Sequence, residues 1–117
     1  MEYEVLVRVW EKRVAEMYYD VARVYDSERR FPPPVWEDEE RVEMQKMEVE
    51  DRNTVIAHYR DIVLDPEGKK WIIEWEPDRG IPILLSLEGE IKEFPDEIEF
   101  RGYEVIGNIY EDPQLLT

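Results

Sequence analysis

The sequence reads as mainly β, a β-rich α+β chain, and three observations carry that reading. Val42, Met44 and Lys46 alternate with Glu43 and Gln45, and Met47 and Val49 alternate with Glu48 and Glu50, the pattern of a strand with one wet face. Ile62 to Leu64 and Trp71 to Trp75 flank Asp65-Pro66-Glu67-Gly68, whose residue types make a defined hairpin turn. Short apolar runs then recur at Ile83 to Leu87, Ile91 to Phe94 and Glu104 to Tyr110, with turn residues at Asp78-Arg79-Gly80 and Glu88-Gly89. Such spacing predicts a small barrel or a strongly bent sheet.

The N-terminal 30 residues carry two patterns. Tyr3, Leu6, Val7, Trp10, Val14, Met17, Tyr18, Val21 and Tyr25 fall on a helical stripe, yet Val5, Val7 and Val9 alternate with Glu4, Leu6 and Arg8. Met17 to Tyr25 is dense in Tyr and Val, which suit a pleated surface. Periodicity alone does not choose between them. Phe31 to Pro34 breaks regular structure, because three prolines fix φ and remove three amide donors, so residues 31–37 read as a Pro-rich loop and the likeliest mobile segment. A turn is expected near Asp51 to Asn53, and Glu111 to Thr117 as a tail or single helical turn.

At 117 residues the chain fits one domain, and 43% hydrophobic residues give it enough apolar surface for a core. Absence of cysteine removes disulfides, thiolate nucleophiles and Cys-type metal sites. A formal charge of −15 repels nucleic-acid backbones and favours basic protein partners, so no direct nucleic-acid binding is expected. Glu2 and Glu4 stand where a signal peptide needs basic residues, and no apolar run is long enough to span a membrane. The expectation is a cytoplasmic protein with no membrane partner.

The run Glu104-Val105-Ile106-Gly107-Asn108-Ile109-Tyr110-Glu111, with Pro113, Leu115 and Leu116, resembles the end of the YopX family of phage and prophage proteins. Val7-Arg8-Val9-Trp10-Glu11-Lys12 with Met17-Tyr18 is similar to that family's opening pattern, K-F-R-x-W-D-K followed by K-M-Y. In the middle the family reads T-G-L-x-D-x-N-G-x-x-I-Y-x-G-D-I-V. This chain keeps Asp51, Asn53, Asp61, Ile62 and Val63, while the three glycine positions hold Glu48, Thr54 and Arg60. The resemblance implies one YopX-like domain: an N-terminal β region over residues 1–50 that opens with a β-hairpin, then an SH3-like barrel and tail over residues 51–117. It also implies homo-oligomers, a host-cell setting and no enzymatic role. Loss of the glycines puts the local turn conformations in question, because glycine at such sites commonly permits positive φ.

No catalytic, metal or cofactor constellation stands out. His58 lies three residues before Asp61 without a nucleophile or second ligand, and a single strand through both would point them to opposite faces. Glu37 to Glu40, Glu88 with Glu90, and Asp96 with Glu97 and Glu99 are the chance clusters that 30 acidic residues produce, with no spacing of a cation loop. Trp71 and Trp75 share one face of a strand and read as barrel wall and core ahead of a base-stacking platform or an oligomer interface. The candidate partner-binding residues are Trp36, Glu37, Asp38, Glu39 and Glu40, an indole after a proline run flanked by carboxylates that suit a basic partner; an ordinary loop with Trp36 tucked onto the core fits the same residues equally well.

Three functions compete. The first is a non-enzymatic accessory protein that oligomerises and binds or inhibits a basic host protein, in host takeover or counter-defence, its acidic surface imitating nucleic acid. The second is a sponge holding a small nucleotide ligand between subunits through arginines such as Arg8, Arg23, Arg60 or Arg101. The third is a hydrolase built on two carboxylates, for example Asp61 with Glu74.

Overall fold

Strand pairing wins over the helical stripe at the N-terminus. β1 (Glu2–Glu11) and β2 (Glu16–Asp26) form an antiparallel hairpin. The deciding partner is distant in sequence: β4 (Arg41–Glu50) pairs with β1 from Val7↔Gln45 to Glu11↔Arg41, so β1 is an inner strand. Val7 and Val9 are both 3% exposed, an environment that a lone surface helix would not give them.

The computed structural model describes residues 2–26 and 33–117. It divides into two compact units, Met1–Lys46 and Met47–Thr117. No helix is long and apolar enough to cross a membrane among the described residues.

The first unit also holds β3 (Val35–Glu37), and its sheet order is β2-β1-β4-β3. This third strand corrects the loop reading of residues 31–37 in part, because Trp36 and its neighbours hydrogen-bond along β4 as a short edge strand. Phe31 and Pro32 lie outside the described residues. The expected alternation in β4 is present, with Val42 and Met44 fully buried. Register slips between Val7↔Val21 and Val9↔Tyr18, so β2 carries one extra residue there. Asp20 absorbs this bulge at φ 53, a left-handed conformation that a short polar side chain tolerates. Arg23 of β2 and Glu43 of β4 reach across β1 and pair through two hydrogen bonds of 3.0 and 3.1 Å, closing over the Val7 face.

The second unit is built on a five-stranded antiparallel sheet. Its elements are β5 (Ile56–His58), β6 (Asp61–Leu64), β7 (Lys70–Glu76), β8 (Ile81–Ser86), β9 (Ile91–Glu93), α1 (Glu97–Phe100), β10 (Glu104–Asn108) and a 3-10 turn at Pro113–Leu116. The order in the sheet is β10-β6-β7-β8-β9, so the last strand lies beside β6. Ile62, Val63, Ile73, Leu84 and Phe100 are fully buried, and Phe100 stacks between Phe94 and Tyr103 at ring-centre distances of 4.9 and 5.5 Å. α1 fell in no expected element; Asp96 caps it by accepting from the Glu99 amide at 2.8 Å.

Two of the three positions where glycine was missing keep the backbone that glycine would favour. Thr54 sits at φ 62 and Arg60 at φ 74, while Glu48 lies within β4. Arg60 turns the chain between β5 and β6, so His58 and Asp61 belong to two strands joined by a turn. Both residues are buried, which corrects the opposite-face expectation drawn from one continuous strand.

Left-handed φ is costly for a β-branched residue, and the Thr54 side chain is exposed with its hydroxyl bonded only to the neighbouring Asn53 carbonyl at 2.6 Å. Thr54→Gly is therefore expected to stabilise the protein by about 0.5–1 kcal/mol after the added freedom of the unfolded chain is subtracted. A urea titration reads this as a higher midpoint at unchanged slope; an equal or lower midpoint contradicts it.

Candidate functional site

The candidate residues Trp36 to Glu40 lie at one corner of the first unit, where β3 turns into β4. Trp36 is 43% exposed on the edge strand, held there by pairing opposite Glu43. Glu37 and Asp38 serve the fold. Lys12, from the β1–β2 turn, donates to Glu37 Oε2 and to the Asp38 carbonyl, both at 2.7 Å. Asp38 Oδ1 accepts from the amides of Arg41 at 2.9 Å and Glu40 at 2.7 Å, and those bonds hold its carboxyl below the usual range. Glu39 and Glu40 face water, and with Glu11, Lys12 and Arg13 they line an open depression of about 500 Å³.

The Trp71 indole is 4% exposed and is no platform for bases. Its Nε1 donates to Asp65 Oδ2 at 3.0 Å, and the ammonium groups of Lys92 and Lys69 lie 4.4 and 4.8 Å from its ring centre. Trp75 is half-buried and meets Tyr59 edge-to-face at 6.1 Å. Burial raises the Tyr59 phenol above its ordinary pKa.

Asp61 and Glu74, the carboxylates of the hydrolase reading, each have a partner of their own. Asp61 Oδ2 accepts from the His58 backbone amide at 2.7 Å. Glu74 pairs with Arg60 at 2.5 Å, and Arg60 also donates to the Tyr110 hydroxyl at 2.8 Å. Among the arginines of the nucleotide reading, Arg8 is buried at 2%, Arg23 pairs with Glu43, and Arg101 lies 3.7 Å from Glu97. No group of three or more His, Asp or Glu side chains placed to hold a metal occurs among the described residues.

The motifs of the family resemblance build turns. Asn108 is 4% exposed, and its Oδ1 accepts from the amides of Tyr110 and Glu111 at 3.1 and 2.8 Å. Asp112 folds back to accept from the Asn108 amide at 3.1 Å, so closely over Gly107 that an added Cβ would meet its Oδ2 at 2.5 Å. Asp51, 3% exposed, accepts from the amides of Asn53, Val55 and Val105 at 2.8, 2.9 and 2.8 Å. The chemistry of these residues is that of turn closure.

Two antiparallel sheets, closed by aspartate and asparagine turns and outwardly acidic, define a mainly β protein whose distinctive residues are architectural. Residues 7–117, nearly the whole chain, match the family model described as YopX protein, and the chain belongs to the YopX family, which makes it a phage-type protein. No curated protein matches the sequence.

Acid should loosen the Asp65 turn. Partial desolvation pushes the Asp65 carboxyl up, but hydrogen bonds from Trp71 and from the Lys69 and Glu67 amides, with the Lys92 charge, outweigh it and leave the group below its ordinary value of 3.8. A depressed carboxyl contributes stability that is present above the unfolded pKa and lost as pH falls through the folded one. Trp71 fluorescence is expected to stay constant from neutral pH to just above 3.8 and to change only below it; a transition centred above that value contradicts the assignment.

Proposed function

We propose that this chain is a non-enzymatic phage accessory protein that oligomerises and binds or inhibits a basic host factor, its carboxylates taking the place of nucleic-acid phosphates in host takeover or counter-defence. One observation carries the reading: the second unit neutralises its own cations and leaves carboxylates for a partner. Residues 47–117 hold 18 acidic and 7 basic side chains, a net charge of −11. Arg52, Arg60, Lys69, Arg79 and Arg101 pair with glutamates, Lys70 donates to the Leu115 carbonyl, and Lys92 lies over Trp71. A surface of that sign steers basic partners and repels nucleic acid.

The homo-oligomer has separate support. Among the described residues β4 pairs with β1 from Val7 to Glu11, while Glu2–Leu6 have Ala22–Asp26 as their one strand partner, with Leu6 39% and Val24 61% exposed. A two-stranded ribbon of that kind is marginal in water and gains from a covering copy. The nucleotide sponge draws less support, because Arg23, Arg60 and Arg101 already hold carboxylates.

Light scattering is expected to give a mass at an integer multiple of the chain, and capture from host lysate is expected to retain a basic protein at low salt and release it at high salt. Glu39→Lys with Glu40→Lys should weaken that capture if the Trp36 corner takes part. A monomer that retains no salt-sensitive protein contradicts the proposal, and copurifying nucleotide absorbing at 260 nm points to the sponge.

A further inference from the structure

The β9 edge of the second unit is an open backbone site in an acidic setting, and its chemistry specifies what fits. β9 ends the sheet, and all three of its residues, Ile91, Lys92 and Glu93, are exposed. The Phe94 amide bonds to the Pro82 carbonyl at 3.2 Å and the Ser86 amide to the Glu90 carbonyl at 2.8 Å. Antiparallel alternation then makes Leu84↔Lys92 the inward-bonded pair and turns the N–H and C=O groups of Ile91 and Glu93 away from β8. Lys92, which alternates with Ile91 and Glu93, is directed to the opposite side of the strand, where its ammonium lies 3.0 Å from the Tyr103 hydroxyl and over the Trp71 ring.

On the opposite face Ile91, 60% exposed, stands two residues from Glu93, with Leu87 40% exposed and Glu88 and Glu90 in the adjoining turn. A strand added alongside β9 sets one side chain beside Ile91 and another, two residues away, beside Glu93. The first position suits an apolar group; at the second, Glu93 has the exposed Arg79 guanidinium 3.5 Å from its Oε1, and an incoming cation would share or replace that pairing. A second copy of this unit would bring a further −11 to the same edge, so a basic segment is favoured over self-pairing.

We propose that β9 is a docking edge for an extended segment of a basic protein, in which an apolar and a cationic side chain two residues apart face Ile91 and Glu93 and the backbone adds a sixth strand to the sheet. The proposal rests on the reading of the chain as a binder of basic partners and names the surface that does it.

The test uses the full chain and a capped octapeptide, Lys-Thr-Val-Thr-Lys-Thr-Val-Thr, with amide hydrogen exchange as readout. The peptide is expected to slow exchange at Ile91 and Glu93 by at least about tenfold, with little change at Lys92, which is already paired. Ile91→Pro removes one outward donor without touching the bonds to β8, and Ile91→Lys gives a guarded edge; each should weaken peptide binding by at least about tenfold while the circular dichroism stays native. An N-methylated octapeptide of the same charge should not bind. Equal binding of that peptide, protection at other residues, or no protection at all overturns the proposal, and concentration-dependent protection without peptide assigns the edge to a second copy and overturns it too. Should wild type and Ile91→Pro capture the same salt-sensitive host protein equally well, the β9 site fails while the binder reading stands; a wild type that captures nothing fails the reading itself.

Discussion

The architecture of the second unit turns on one buried carboxylate. Asp51 follows β4 directly, and its two oxygens collect three backbone amides: Asn53 and Val55 from its own turn, and Val105 from β10, 54 residues further on. The Arg52 amide adds a bond to the Tyr103 carbonyl at 3.0 Å. A carboxylate so placed is satisfied only when the 51–55 turn and β10 are both formed, which couples the start of the unit to its end. The left-handed Thr54 is a cost of that turn, accepted because Asp51 holds the chain on either side of it.

The same device recurs and divides the acidic residues by type. Asp38, Asp51, Asp61, Asp65, Asp96 and Asp112 each accept a backbone amide at a turn or helix start. Their short side chains reach the local backbone with little entropy loss, whereas glutamates extend beyond it and either pair with Arg or Lys or face water. Among the described residues, those six aspartates shape turns, while glutamates such as Glu37, Glu43, Glu74 and Glu90 pair with cations.

Much of this was legible in the sequence, and the gaps have physical reasons. From Val42 onward alternation and turn chemistry located β4 and β6 to β10 within a residue or two, because those signals are local. The N-terminal hairpin was not decidable from periodicity, since the strand that buries Val7 and Val9 lies about 35 residues away; the resemblance to the YopX family supplied the choice. α1 was missed although Asp96-x-x-Glu99 has capping-box spacing, because a four-residue helix carries no periodicity and its carboxylates passed as a chance cluster. β3 was missed because a proline run hid a three-residue edge strand. The turn at Arg60 was missed because arginine stands where glycine would have announced it. At the candidate corner the residues alone left Trp36 either exposed or tucked onto the core, and the structure leaves it 43% exposed; the capture of Glu37 by Lys12 depends on a pairing across 25 residues that no local pattern reveals.

The most direct test is the urea stability of Asp51→Ala beside that of the wild type. Removing an acceptor shared by three amides, in a site 3% exposed, is expected to cost about 3 kcal/mol or more and to speed hydrogen exchange at Val105 first. A loss below about 0.5 kcal/mol, with Val105 exchange unchanged, would mean that the turn and the last strand hold together without the carboxylate, and the central role assigned to Asp51 would fall.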